Sequence, residues 1–260
     1  MGEQTQRLLA WFDASARELP WRATADPYAI LVSEIMLQQT QVARVIDRYL
    51  AWLERWPTVE VLAAASTADV LRAWSGLGYN RRALNLQRAA RQIVERGSFP
   101  ATVGELEQLA GVGPYTARAV ACFAFGAQVT ALDVNVRRVL TRAFGRADLE
   151  PPPGRAWEWN QALFDLGANL CLARVPRCLH CPLARDCPSA GMRFEAQRNQ
   201  SRFEGSSRQR RAQLLRDLHA GPRAMAGYDD AVVDGLIKDG LALRLADGRL
   251  TLPEEAEARG

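Results

Sequence analysis

The sequence predicts a mainly α-helical fold that carries a small α+β module near its C-terminal end. Three observations support this fold class. Apolar residues recur at helical period through most of residues 1–190, a glycine turn joins two predicted helices, and short apolar alternations occur only beyond residue 206. With 260 residues and 48% apolar content, the chain can bury a full core and also hold a small appendage.

Composition narrows the class of protein further. The net charge of +4 and the pI near 9.0 are compatible with a polyanionic partner. Of 33 basic residues only Lys238 is a lysine, so a catalytic amine is nearly excluded, whereas arginines suit phosphate contacts. No apolar run approaches a membrane span and the first 14 residues do not resemble a signal peptide, which predicts a soluble, cytoplasmic protein.

The first predicted helix covers residues 5–18 and is ended by Pro20. The proline leaves Trp21 and Arg22 in an exposed turn. Two interpretations stay open for this pair. It is either a packed ring beside a solvated charge, or the lining of a pocket for a flat base, because both side chains stack on π-faces.

Residues 28–56 predict two consecutive helices that break near Gln39 and Thr40. On the first of them, Glu34 has apolar residues about one turn away on both sides, so it shares their face. A carboxyl group held against an apolar face has a raised pKa, and a neutral acid can protonate a leaving group near pH 7. The alternative is an exposed surface glutamate.

Residues 58–97 predict two or three further amphipathic helices, with a break over residues 74–79. The segment from Gly78 to Arg82 combines a flexible turn, an aromatic side chain and two cations. Such a loop can pry a duplex open, although it is also compatible with a plain connection.

A glycine turn between two helices forms the centre of the chain. Thr102 and Glu105 have the spacing of a capping box, which predicts a short helix running to about residue 109. Gly111, Val112 and Gly113 end that helix, and the proline that follows favours the first turn of a second helix that ends near residue 125. The free amides of that first turn could bind a phosphate; the alternative is an ordinary αα-turn.

A carboxylate follows this second helix. The short apolar run VTAL leads to Asp133, after which Asn135, Arg137 and Arg138 come at once. A lone aspartate after an apolar run is most often a helix cap. Here it also delivers a negative charge close to a predicted phosphate-binding hairpin, with arginines on the next turn.

Four of the five cysteines lie within 17 positions, separated by six, two and five residues. In an intracellular protein this grouping points to a metal site rather than to disulfides. Four thiolates in a compact loop can ligate either a cubane iron-sulfur cluster or a tetrahedral zinc ion. The members of the group are Cys171, Cys178, Cys181 and Cys187, whereas Cys122 sits in an apolar helix as a small core residue.

Beyond residue 190 the amino-acid composition of the chain changes. Residues 191–206 are polar and rich in Arg, Ser and Gly, which predicts a linker. Residues 207–255 then predict two helices and a hairpin centred on Ala246, Asp247 and Gly248, an order typical of a winged-helix-like module. The arginines at 208, 210 and 211 suggest a DNA contact, with simple packing as the alternative.

Several of these motifs occur together in one known family. PWR at 20–22, SEIMLQQTQV at 33–42, GLGY at 76–79, GVGPYTA at 111–117, LDVNVRRV at 132–139 and the cysteine loop stand in the same order there. Over roughly residues 5–190 the chain therefore resembles the MutY-type adenine DNA glycosylases of the helix-hairpin-helix superfamily.

The resemblance implies a two-lobed helix-hairpin-helix DNA glycosylase fold for residues 1–190. A six-helix lobe would cover about residues 29–140, and a cluster lobe would combine 1–28 with 141–190. The resemblance also favours a [4Fe-4S] cluster over zinc on the four cysteines. It implies a monomeric, nucleoid-associated enzyme that acts on double-stranded DNA containing a mismatched or damaged base pair.

The resemblance also implies roles for single residues. Glu34 would protonate the adenine ring, Asp133 would stabilise or transiently bond the sugar cation, and Tyr115 and Asn135 would complete the catalytic group. The remaining implied contacts are with DNA. They comprise Gln39 and Tyr79 as wedges beside the mismatch, Trp21, Arg22 and Gln161 around the extruded adenine, and Gly111, Val112 and Gly113 at the backbone.

The implied reaction is monofunctional excision of adenine opposite 8-oxoguanine or guanine, by base flipping and hydrolysis. Val134 replaces a glycine often found in the family and Asn80 a second tyrosine, and residues 207–255 are too short for the MutT-related domain that recognises 8-oxoguanine. The alternatives are a mismatch thymine or uracil glycosylase, an endonuclease III-like lyase, whose hairpin lysine is here Tyr115, and a non-catalytic iron-sulfur DNA-binding protein.

Overall fold

The computed structural model describes residues 2–195 and 202–253. These residues form twelve α-helices, three 3-10 turns and one small antiparallel sheet, which confirms the mainly α-helical fold. Within them, two compact units are distinguished: residues 2–34, 100–108 and 112–195, and residues 35–99, 109–111 and 202–253. This division does not test the predicted domain boundaries, which stay predictions. The predicted linker lies partly outside the described residues, as does the end of the predicted module.

The first unit is built on helices that pack around one apolar core. Its centre is formed by α1, α9 and α10, with Phe12, Leu140 and Trp159 almost fully buried. Trp159 also satisfies its indole N–H by donating to the Thr130 hydroxyl at 3.0 Å. The helices are α1 (Glu3–Ser15), α2 (Pro27–Leu37, which continues into the second unit), α7 (Val103–Leu106), α8 (Pro114–Phe125), α9 (Val134–Phe144) and α10 (Ala156–Asn169).

The second unit has an aromatic core. The ring centroid of Trp52 lies 4.6 Å from that of Trp56 and 5.5 Å from that of Trp74, both in edge-on geometry. Two of its helices begin at hydroxyl caps, with Thr58 accepting from the amide of residue 61 and Ser66 from that of residue 69. Its first four helices are α3 (Val42–Arg55), α4 (Val59–Ala64), α5 (Thr67–Ala73) and α6 (Arg81–Arg96).

The C-terminal part of the second unit has the predicted order of two helices and a hairpin. It consists of α11 (Ser207–His219), α12 (Asp230–Lys238), β1 (Leu243–Arg244) and β2 (Leu250–Thr251), with Leu243 paired to Thr251 and Arg244 to Leu250.

Two of the three arginines proposed for DNA contact in this part are paired with acids. Arg210 pairs with Asp229, and Arg211 with Asp239. These pairs favour the packing alternative for Arg210 and Arg211.

None of the helices in the described ranges is long and apolar enough to span a membrane.

Candidate active site

The predicted glycine turn has the local structure that its sequence indicates. Thr102 and Glu105 form a complete capping box, and α7 ends at Leu106, three residues earlier than expected. Gly111 has a φ of +78°, and a Cβ atom built there would lie 2.7 Å from the Asn85 side chain. A side chain is therefore excluded at this position on both counts.

The second helix of the turn, α8, begins and ends as predicted. Gly113 is its N-cap, proline occupies the first turn, and Gly126 ends it in the left-handed conformation with φ of +71°. Val112 is buried, with 6% of its surface exposed. Phosphate binding by the first turn of α8 stays a prediction.

Glu34 is buried on α2, which decides between the two interpretations of this residue. Only 5% of its surface is exposed. Burial is the main cause that raises the pKa of Glu34 to about 7. A hydrogen bond from Tyr115 acts in the opposite direction, and the charge of Asp133 adds to the increase. The carboxyl group is thus poised to hold or release a proton near neutral pH.

The hydrogen bonding of Glu34 is incomplete on one side. Tyr115 bonds to the carboxyl group, and burial together with the two nearby carboxyl groups raises the pKa of this tyrosine well above its usual range, so it stays a donor. Oε2 of Glu34, in contrast, is buried and has no hydrogen-bond partner among the described residues. A buried carboxyl oxygen without a partner is costly, and the described residues supply no hydrogen-bond partner on this side of Glu34.

Asp133 is the N-cap of α9. Its Oδ1 accepts from the backbone amides of Asn135 at 2.8 Å and Val136 at 2.6 Å, and its Oδ2 accepts from Nδ2 of Asn135 at 2.8 Å. Three donors and the positive end of the helix dipole stabilise a negative charge at this position. The structural role as a cap and the proposed chemical role are compatible, because the cap fixes the carboxylate.

A second layer of contacts holds this cap. Arg138 donates from Nη1 to Oδ1 of Asn135 at 2.8 Å, from Nη2 to the carbonyl of Gly167 at 2.9 Å and from Nε to the carbonyl of Cys171 at 2.9 Å. The guanidinium thereby connects the Asp133 turn to α10 and to the first cysteine of the loop. The Arg138 guanidinium therefore binds acceptors within the protein.

Trp21 and Arg22 are not in an exposed turn, so that expectation is wrong. Trp21 is 8% exposed, and the Arg22 side chain is 7% exposed. Arg22 donates from Nη2 and Nη1 to Asp165 at 2.7 and 3.0 Å, and from Nε to Oε1 of Gln161 at 2.7 Å. Its buried carboxylate partner lies 143 positions away in the sequence, which explains why the local pattern failed.

The structure places three of the predicted base-contacting residues, Trp21, Arg22 and Gln161, in the first unit. Gln161 is 5% exposed and has its amide oriented by Arg22, because the guanidinium only donates and must face Oε1. Asp165 was missed. The available signal was an acid on the apolar stripe of the helix over residues 155–170, the same signal that identified Glu34.

Gln39 and Tyr79, the predicted wedge residues, lie in the second unit. Both are exposed, Tyr79 by 47%. Gln39 has a φ of +56° and Tyr79 a φ of +47°, and among the described residues they are the only two besides glycine with positive φ. Left-handed backbone at a residue with a side chain is strained and often occurs at functional sites.

The four cysteines line a single pocket. Its other walls include Val139, Leu166 and Pro176, and Arg142 donates towards the Cys171 thiol at 3.8 Å. Within the described ranges, no three Cys, His, Asp or Glu side chains converge closely enough to hold one metal ion. Four thiols around one pocket are the donor set of either a cubane cluster, in which each iron takes one thiolate, or a single tetrahedral ion.

Cys122 is a core residue, as predicted. It is 2% exposed, and burial raises the pKa of its thiol to about 11. Asn160, with none of its surface exposed, donates to the Cys122 sulfur and to two carbonyls and accepts from the amide of Ala131. This buried asparagine, which the sequence analysis did not single out, fixes the segment that leads to Asp133.

Comparison with known proteins gives consistent matches. Residues 32–155 match the family model of the HhH-GPD superfamily base excision DNA repair proteins. The chain is 44% identical to the adenine DNA glycosylase of Mycolicibacterium smegmatis over 96% of both chains, and 44% identical to that of Mycobacterium tuberculosis over 95% of this chain and 93% of the relative. The fold is similar to that of a solved thermostable thymine-DNA glycosylase, with 29% identity, a TM-score of 0.66, and coverage of 71% of this chain and 93% of the other.

Proposed function

Because the chain belongs to the adenine DNA glycosylases of the HhH-GPD superfamily, we propose that it removes adenine from DNA by hydrolysing the N-glycosidic bond in base excision repair. The observation that carries this proposal is the state of Glu34. Its carboxyl group is buried, has a pKa of about 7, and leaves Oε2 without a partner among the described residues.

The reaction needs a proton and a negative charge in the same site. Adenine is a poor leaving group unless a ring nitrogen is protonated, and Glu34 in its neutral form donates that proton. As the C–N bond breaks, its electron pair leaves with the base and the sugar becomes cationic. Asp133, fixed at the N-terminus of α9 by its three donors, faces the cation, and water completes the hydrolysis.

The finer specificity is part of the proposal. We propose that the substrate is double-stranded DNA with adenine opposite 8-oxoguanine or guanine, and that the protein binds it as a monomer. Trp21, Arg22 and Gln161 are assigned to the pocket for the extruded base. Gln39 and Tyr79 are assigned to the gap beside the mispair, and the hairpin glycines to the DNA backbone.

A [4Fe-4S] cluster is the cofactor that the cysteine loop fits best. Cys171, Cys178, Cys181 and Cys187 would each bind one iron, which agrees with the way they surround their pocket. When bound, the cluster would cross-link the four cysteines and so fix the loop over residues 171–187. The domain boundaries at residues 190 and 206 and the nucleoid-associated location stay predictions.

Excision is proposed to occur without strand cleavage. A glycosylase that also cleaves needs an amine to form a Schiff base with the sugar. Residues 1–237 contain no lysine, and Tyr115 occupies the hairpin position where lyase relatives carry one. Product strands should therefore stay intact until they are treated with alkali, and borohydride should trap no covalent adduct.

The proposal is tested by separating chemistry from binding. Glu34→Gln and Asp133→Asn should each lower the single-turnover excision rate by at least about 10²-fold, because each removes one of the two chemical groups. Affinity for the same adenine-containing duplex, measured by gel shift, should stay within about threefold of wild type. Glu95→Gln, on an exposed part of α6, is the matched control.

Two outcomes would contradict the proposal. Near wild-type excision by either variant would remove the role assigned to that residue. Wild-type protein that excises thymine or uracil from a guanine mispair, and leaves adenine in place, would favour the mismatch thymine or uracil glycosylase alternative.

A further inference from the structure

Arg82 lies at the start of α6 and is buried, with 8% of its surface exposed. Its sequence neighbourhood suggested a cation for DNA, but its guanidinium contacts the protein instead. Burial lowers the pKa of Arg82 to about 10, so it is still charged at neutral pH. A buried cation that binds mainly backbone carbonyls fixes the loops to which those carbonyls belong.

The terminal nitrogens of Arg82 bind backbone carbonyls of two different loops. Nη1 donates to the carbonyls of Ile35, Met36 and Gln38 at 2.9, 3.0 and 2.5 Å, at the end of α2. Nη2 donates to the carbonyls of Leu77 and Gly78 at 3.1 and 2.9 Å, in the loop before α6. The planar fork of one arginine therefore joins the two loops in a fixed relative geometry.

Thr40 adds a direct link between the same loops. Its hydroxyl accepts from Nη2 of Arg82 at 3.1 Å and lies 3.4 Å from the carbonyl of Leu77. The indole of Trp74 supports the second loop by donating to the carbonyl of Gly78 at 3.0 Å. Arg82 also lies over the rings of Trp74 and Tyr79, with centroid distances of 5.2 and 5.6 Å.

The carbonyls that Arg82 binds include those directly before the two strained residues. The carbonyl of Gln38 belongs to the peptide plane that sets φ of Gln39, and the carbonyl of Gly78 to the plane that sets φ of Tyr79. Holding these planes holds the backbone of Gln39 at +56° and that of Tyr79 at +47°. Such strain persists only where the surrounding contacts over-determine it.

We propose that Arg82 is a positioning residue that locks Gln39 and Tyr79 in left-handed backbone conformations, so that both exposed side chains are preset to enter the duplex beside a mispaired base. This inference rests on the proposed function, in which these two residues are the wedges. It adds the device that couples them. Without the fork, each loop relaxes towards an unstrained conformation, and the two wedges no longer act together.

The test compares Arg82→Lys with Arg81→Lys, both in the Glu34→Gln background so that bound DNA is not turned over. Lysine keeps the charge but presents a single ammonium that cannot bridge both loops. Arg81 is the matched control, because it is adjacent and its side chain is 64% exposed. The measured quantity is the ratio of affinities for a duplex with one adenine mispair and the fully matched duplex of the same sequence.

A variant that only folds less completely has a lower binding-competent fraction, which weakens the apparent affinity for both duplexes equally. The ratio of the two affinities therefore does not report a purely structural role. Arg82→Lys should lower the ratio by about tenfold or more, chiefly by weakening the mispaired complex, whereas Arg81→Lys should leave it within about twofold. When Gln39 and Tyr79 are both replaced by alanine, Arg82→Lys should have no further effect on the ratio.

Thr40→Val provides a second variant, because it removes one acceptor at nearly constant volume, and it should lower the ratio by about threefold. The proposal would be overturned if the folded variants kept the wild-type ratio of affinities. It would also be overturned if Arg82→Lys lowered the ratio as much in the double-alanine background as it does alone. Failure of the proposed function would give a different result: wild-type protein would bind the mispaired duplex more tightly than the matched one but would excise no adenine.

Discussion

The side-chain amide of Asn135 donates a hydrogen bond to Oδ2 of Asp133 over 2.8 Å, within the first turn of α9. The orientation of this amide is dictated by its other neighbour. Arg138 can only donate, so Oδ1 of Asn135 must face the guanidinium and the NH₂ group must face the carboxylate. Asp133 is thus fixed by a residue that is itself fixed, as precise placement of a charged group requires.

We expect Asn135→Ala to lower the single-turnover excision rate by about 10- to 100-fold, the equivalent of one hydrogen bond to a charged group. Affinity for the adenine-containing duplex should change little, because the backbone donors to Asp133 are kept. Val134→Ala, at the neighbouring position with 78% of its surface exposed, is the control. An excision rate equal to that of the control would show that Asn135 does not position the carboxylate.

The pH dependence of excision should report Glu34. Because its pKa is about 7, the protonated form is the major one below that pH and is lost above it. The value of kcat/KM should therefore fall about tenfold per pH unit above pH 7, since the free enzyme's acid is titrated. A profile that rises through pH 7 would mean that Glu34 acts as a base.

The free energy of unfolding should also depend on pH through the titration of Glu34. The folded-state pKa of Glu34 lies above the unfolded value of 4.5, so wild-type protein is least penalised below pH 4.5 and loses stability as the pH rises through 7. The loss relative to Glu34→Gln should reach about 3 kcal/mol by pH 8. Urea unfolding of both proteins between pH 5 and pH 8 measures it, and parallel curves would contradict it.

Local signals in the sequence were sufficient for the elements around the site. The capping box at Thr102, the left-handed glycine at 126 and the aspartate before α9 each define a helix end through contacts within a few residues. The burial of Glu34 followed from its apolar neighbours at helical spacing. These features depend on one helix and its ends, so a single stretch of sequence contains the necessary information.

The arginines show what such reasoning leaves out. Local patterns indicated cations at Arg22, Arg82 and Arg138 but not the protein carbonyl, amide or carboxylate groups that bind each guanidinium. The side-chain acceptors of Arg22 lie 139 and 143 positions away, the two carbonyl acceptors of Arg138 lie 29 and 33 positions away, and several acceptors of Arg82 lie more than 40 positions away. A local pattern shows that a cation is present but not which distant acceptor it meets.

The metal content of the protein is a direct prediction. We expect wild-type protein to be brown and to contain about four irons per chain, because the four cysteines suit a cubane. Cys178→Ser should lower both the iron content and the soluble yield, since cluster binding and folding are coupled. Cys122→Ala, which changes a cysteine outside the pocket, should keep its iron. Stoichiometric zinc without iron would refute the cluster assignment.

Asp165 is 1% exposed and is bound by two arginines. It accepts from Nε of Arg17 and Nη2 of Arg22, both at 2.7 Å. Burial alone would raise the pKa of Asp165, but the hydrogen bonds from Arg22 and Arg17 outweigh it and lower the pKa below its ordinary value. The stability that this carboxylate contributes is therefore present at neutral pH and lost on acidification through the folded-state pKa.

Asp165→Asn keeps the shape but leaves Arg22 buried without a counter-charge, so we expect a loss of about 3–5 kcal/mol at pH 7. Asp148→Asn, which breaks an exposed ion pair with Arg146, should change stability little. Because Arg22 also orients Gln161, the variant should lower the excision rate per folded molecule. Urea unfolding at pH 7 and single-turnover kinetics measure the two effects, and equal stability of the two variants would show that the buried pair contributes no more than the exposed one.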